Sequence, residues 1–90
     1  MQSSALTFEQ LCTLFNFLPK NRLLTTDDLV ELTGIARNTW EQHRLRGSGP
    51  RYFRPPGTRR VWYSERDFLV WMASGARHST SHQPGEALNV

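Results

Sequence analysis

Arg37, Arg44, Arg46, Arg51, Arg54, Arg59 and Arg60 fall within one stretch of the chain that holds a single acid, Glu41. The net charge of that stretch is +6, while the 90-residue chain as a whole is +3, so the remainder is net negative. None of these cations is a lysine. Arginine presents a planar donor fork that matches phosphate oxygens and the O6/N7 edge of guanine. A basic block beside a near-neutral or acidic remainder is the electrostatic footprint of a polyanion partner. The plain alternative is a solvated basic surface.

Other chemistries find little support. The single Cys12 excludes an internal disulfide and any cysteine-based zinc site. His78 and His82 are four apart, but their segment offers no third ligand and no helical pattern, so no metal and no cofactor is expected. No Ser/His/Asp or Cys/His set has supporting context, and no enzyme activity is expected. There is no run of about 18 apolar residues that could cross a bilayer, and the first ten residues lack the pattern of a secretory signal. The expected location is the bacterial cytoplasm, associated with the nucleoid.

The arginines need elements to carry them, and the flanking pattern supplies these. Ala36, Trp40 and His43 share one helical face, in a helix from Ala36 or Arg37 to about Leu45. Arg37, Asn38, Glu41, Gln42 and Arg44 fall away from it. A preceding helix starts at Thr25, with Asp27 and Asp28 in the first turn, where the helix dipole favours acids. Gly34 suits the sharp turn between the two. Helix, short glycine turn and second helix with a polar outward face form the helix-turn-helix pattern.

Downstream, Gly47-Ser48-Gly49-Pro50 breaks the helix. Tyr52-Phe53-Arg54 and Arg59-Arg60-Val61-Trp62-Tyr63 read as two strands around the turn Pro55-Pro56-Gly57-Thr58. This places a two-stranded wing beside the helices, with Phe53, Val61 and Tyr63 inward and Trp62 on the opposite face. A last helix starts after Ser64 and is expected to stop at Gly75. An amphipathic N-terminal helix is predicted over Thr7–Leu18, capped by Thr7 with Gln10 and stopped by Pro19. Its apolar stripe serves either the domain's own core or another copy. The expected organisation is an N-terminal helix in residues 1–20, a DNA-binding domain in 21–75 and a disordered tail in 76–90. The fold class is mostly α with a small β-hairpin: a winged helix-turn-helix with an extra N-terminal helix.

Several landmarks together resemble one known family. They are Leu24-Thr25, Leu32-Thr33-Gly34-Ile35, Arg37-Asn38-Thr39-Trp40, Gly49-Pro50, Arg59-Arg60-Val61 with Tyr63, and Trp71. Over Leu23–Met72 the chain is similar to excisionase/AlpA-type, MerR-like winged helix-turn-helix domains. Ala36 stands where that family commonly has a capping serine, and His43 where an aromatic is usual. The resemblance implies a small double-stranded-DNA-binding protein, most like a recombination directionality factor of an integrative and conjugative element. Such a factor binds near an attachment site, bends it and lets a partner integrase excise the element. A small transcriptional regulator of the same fold is the nearest alternative. A protein-interaction adaptor, with its basic face on an acidic partner, is the alternative from another class.

Under this reading Arg37, Asn38, Glu41, Gln42 and Arg44 meet the major groove. Glu41 either accepts from cytosine N4 or pairs with Arg37 one turn away. Thr26, Thr39 and Arg46 are assigned to phosphates. Arg54, Arg59 and Arg60 occupy the wing, at minor-groove edges or phosphates. A module this small favours several copies bound cooperatively. With no heptad dimerisation helix, head-to-tail copies on direct repeats are expected, joined through Phe8, Leu11, Phe15 and Trp62.

Overall fold

The structure is a computed structural model, described here for residues 6–77. Four short helices make up half of it: α1 (Phe8–Phe15), α2 (Thr26–Thr33), α3 (Arg37–Arg46) and α4 (Glu65–Ser74). α1 packs on α4, and α2 on α3. None of these helices is long and apolar enough to cross a membrane.

Local chemistry sets the helix ends. Thr7 and Gln10 form a reciprocal capping box: Gln10 N–H donates to Thr7 Oγ1 at 3.0 Å, and Thr7 N–H to Gln10 Oε1 at 2.8 Å. The other end corrects the sequence expectation. α1 stops at Phe15 rather than Leu18, because Asn16 adopts the left-handed conformation, with φ 52°. Asn16 and Phe17 then donate their N–H groups to the carbonyls of Thr13 and Cys12. Asparagine tolerates this conformation well enough to end a helix without glycine. Phe17 is thereby turned onto Phe68, ring centroids 6.4 Å apart.

α2 repeats the capping logic with Thr25 and Asp28. Thr25 N–H donates to Asp28 Oδ2 at 2.8 Å, and Arg22 pairs with the same carboxylate at 3.1 Å. The Thr25 bond, and then Arg22, hold the Asp28 carboxyl below its ordinary value against an opposing burial penalty. A carboxyl depressed on folding contributes stability above its unfolded pKa and loses it as pH falls through the folded one. The melting temperature is therefore expected to drop on acidification below about pH 4. In Asp28→Asn, melts between pH 5 and pH 3 should show a shallower drop.

Gly34 closes α2 at φ 78°, and its N–H reaches the Val30 carbonyl. Ala36 precedes α3 with no side-chain cap, as the missing hydroxyl requires. α4 is capped by Ser64, whose Oγ accepts from Asp67 N–H. It stops at Gly75, as expected, although that residue sits at φ −93° and its N–H turns back to the Met72 carbonyl without a left-handed cap. The buried Glu65 carboxylate accepts the N–H groups of Lys20 and Asn21, which pins the α1–α2 connection to the start of α4.

Among the described residues strand content is small: two antiparallel bridges, Leu24 with Tyr63 and Phe53 with Trp62. Successive residues of an extended chain point their N–H and C=O groups to opposite sides. So Tyr63 pairs with Leu24 on one side while Trp62 pairs with Phe53 on the other, a three-segment ribbon. Thr58 N–H bonds to the Pro55 carbonyl and Gly57 lies at φ 81°, as a proline-led turn with glycine third requires. This register corrects the expected inward set. Residues directly paired across a ribbon share a face, so Phe53 goes with Trp62 and is 45% exposed. Tyr52 takes the inward place instead, its ring 6.3 Å from that of Tyr63.

The core is Leu11, Leu24, Leu29, Trp40, Tyr63, Phe68 and Leu69. Every helix and the ribbon contribute to it. Trp71 and His43 pack at a tilt beside Trp40, and edge-to-face with each other, and close the core over α3 and α4. The expected tail lies, beyond Arg77, outside the described residues, as do His78 and His82.

Candidate nucleic-acid interface

α3 exposes Arg37, Asn38, Thr39, Glu41, Leu45 and Arg46, and half-buries Gln42 and Arg44. Trp40 is fully buried beneath and anchors the helix. Gly49 approaches the same anchor, since a Cβ there would lie 2.8 Å from His43 Cβ. The Gly47–Pro50 loop can therefore fold back under α3. Trp71 Nε1 holds it there by donating to the Ser48 carbonyl at 2.9 Å.

Three sequence assignments change in this setting. Arg44 is not an outward reader. Its Nη1 donates to Tyr63 Oη at 2.7 Å and to Thr26 Oγ1 at 3.2 Å, and its guanidinium lies over the Tyr52 ring. It ties α3 to the start of α2 and to the ribbon, so these donors serve positioning while its charge remains beside the cleft described below. Thr26 is only 6% exposed and its hydroxyl accepts from Arg44, so it lines the cleft described below as a bonded and not a free group. Arg37 pairs with Asp27 of α2 and not with Glu41. That pair is exposed on both sides. Such pairs are worth about 0.2–1 kcal/mol, little enough for a phosphate to displace the carboxylate.

Arg44→Met keeps the side chain's length and loses its donors. Unfolding in urea should show a loss of about 2–3 kcal/mol, the scale for hydrogen bonds from a charged group that leave buried hydroxyls behind. Arg44→Lys should recover only part, because one ammonium cannot span two hydroxyls and lie flat on Tyr52.

On the ribbon, Arg54, Arg59 and Arg60 are exposed, and none forms an ion pair among the described residues. Arg60 lies over the Trp62 ring at 5.3 Å. Arg51 is spoken for by Asp67 at 3.1 Å and rests on Phe53.

The two basic elements meet. A cleft of about 370 Å³ is lined by Thr25, Thr26, Asp27, Arg37, Glu41 and Arg44 on the helical side and by Arg59, Arg60 and Val61 on the ribbon side. The first turn of α2 opens into it, and such a turn carries unpaired N–H groups and the positive end of the helix dipole. Four guanidinium groups and a helix N-terminus thus surround one concavity, against two carboxylates.

The self-association set divides. Leu11 is only 2% exposed and belongs to the chain's own core, so it is withdrawn. Phe8 and Phe15 are half-buried against that core, and Trp62 is half-buried under Arg60. Leu14 and Leu18 are exposed instead. The spacing contained that signal: Phe8, Leu11, Cys12 and Phe15 form the i, i+3, i+4, i+7 stripe, and Leu14 lies off it. Sequence reasoning also missed Leu45, whose position on the polar side of α3 was visible in the helical period.

No known protein family, curated protein or solved structure matches this chain.

Proposed function

We propose that the chain is a sequence-specific DNA-binding protein of the winged helix-turn-helix kind, with α3 as the reader and the Pro55–Arg60 loop as the wing. The supporting observation is the shared cleft, where Arg37 of α3 stands with Arg59 and Arg60 of the ribbon around the start of α2. A duplex backbone seated there would meet α3 and the wing together. Phosphate oxygens suit both the guanidinium forks and the free N–H groups of a helix start.

Its role, on the resemblance of Leu23–Met72 to excisionase-type domains, is that of a recombination directionality factor. Copies bind head-to-tail near an attachment site, bend it and favour excision by a partner integrase. The same reading places the chain on the bacterial nucleoid.

Footprinting the full chain on DNA around its own gene tests the binding, and an in vitro excision assay with the cognate integrase tests the role. Protection of direct repeats with stimulated excision is the expected result. Protection without stimulation would leave a transcriptional regulator, and no retarded duplex at low ionic strength would end the DNA reading. Unchanged duplex binding in both Arg37→Ala and Asn38→Ala would favour an adaptor with an acidic partner.

A further inference from the structure

The outward face of α3 has lost most of its guanine-reading equipment to the fold. Arg44 is turned inward onto Tyr63, Thr26 and Tyr52. Arg37 is drawn sideways to Asp27, and Glu41 lines the cleft rather than the free face. What remains along one rail is Asn38, Gln42 and Leu45, at i, i+4 and i+7, with Arg46 at the end. Over seven residues the rail rises about 10 Å, or roughly three base-pair steps of 3.4 Å each.

Leu45 is 80% exposed. It has no part in the core or in the apolar shell packed on it, and its neighbours on the rail are polar. A single exposed leucine is ordinary on a protein surface. This one stands in line with two carboxamides, on the face that would enter a groove. Carboxamides pair two-pronged with adenine N6 and N7, and an aliphatic side chain in the major groove meets the thymine C5-methyl group. The three side chains therefore present one consistent chemistry.

The geometry points to Asn38, Gln42 and Leu45 as a reader of consecutive A·T pairs, with Leu45 seated on a thymine methyl. This inference rests on the DNA-binding reading above and specifies its target class.

The test uses the full chain and a randomised duplex library. Selection is expected to enrich a core of about three A·T pairs, one step being roughly one rail residue. In the enriched duplex each thymine is then replaced by deoxyuridine, which removes the methyl and leaves every hydrogen-bonding group. At one position the wild-type chain should lose about fourfold in affinity, the factor for burying one methyl-sized group. Leu45→Ala should bind the unsubstituted duplex about fourfold more weakly and be indifferent to that deoxyuridine. Leu45 lies outside the core, so the variant should keep the wild-type melting temperature.

Enrichment of a G·C core, tolerance of deoxyuridine at every position, or thymine sensitivity retained in Leu45→Ala would overturn the inference while leaving DNA binding intact. A library from which nothing is enriched would overturn both.

Discussion

Arg59→Ala/Arg60→Ala is expected to lower duplex affinity on the order of tenfold or more near physiological salt, for cognate and random sequences alike. The reason is counterion release. Each neutralised phosphate contributes about −0.9 to the slope of log affinity against log salt. Removing two contacts should therefore flatten that slope by about 1.8. Both residues are exposed, line the cleft with Arg37, and have no acidic partner among the described residues. Their full charge is available to a polyanion. Arg51→Ala is the control: it is equally basic in sequence but already paired with Asp67. Its slope should stay close to wild type. Asn38→Ala should do the reverse of the double variant and weaken cognate binding with the slope unchanged, since a base contact releases few counterions. An unchanged slope in the double variant, measured by fluorescence anisotropy from 50 to 200 mM salt, would remove the wing from the interface.

The largest effect on stability is expected at Trp40. Its ring is completely buried and packs against both His43 and Trp71, with centroids 5.8 and 5.4 Å away. It joins α3 to α4. Trp40→Ala should cost about 3–5 kcal/mol. A domain of this size has roughly 4–11 kcal/mol in total. The variant should be largely unfolded or close to it at 37 °C, with a broad, early melt by circular dichroism. Trp40→Phe separates packing from polarity. The Trp40 Nε1 donor is buried without a hydrogen-bond partner among the described residues, so deleting it relieves a desolvation cost while most of the ring remains. The phenylalanine variant should recover more than half of the lost stability. A cooperative, near-wild-type melt in Trp40→Ala would show that the core is closed elsewhere.

The two predictions differ in how far the sequence alone supports them. Trp40 was legible as a core residue because its spacing from Ala36 and His43 matched a helical period, and burial followed. The helix starts were equally legible. A threonine or serine three residues before a matching partner dictates where a chain of orphan N–H groups finds its first acceptor, and Thr7, Thr25 and Ser64 each do this. Gly34 and the Pro55–Thr58 turn were legible for the same reason: their backbone preferences act within a few residues.

The ribbon register was not. Alternation says that Phe53 and Tyr52 face opposite ways, but a shift of one residue exchanges them at no local cost. Pairing with Trp62 and the demand of Leu24 for Tyr63 decide it, and the second pair lies far apart in the chain.

Seven arginines in one stretch set the sign of its charge, because charge is a property of composition. Which of them remain available is a tertiary outcome. Arg44 is consumed by Tyr63 and Thr26, Arg51 by Asp67, and Arg37 is loosely held by Asp27. A guanidinium reaches about 6–7 Å from its own backbone, so its partner is chosen by what packing brings within that radius and not by its neighbours in sequence.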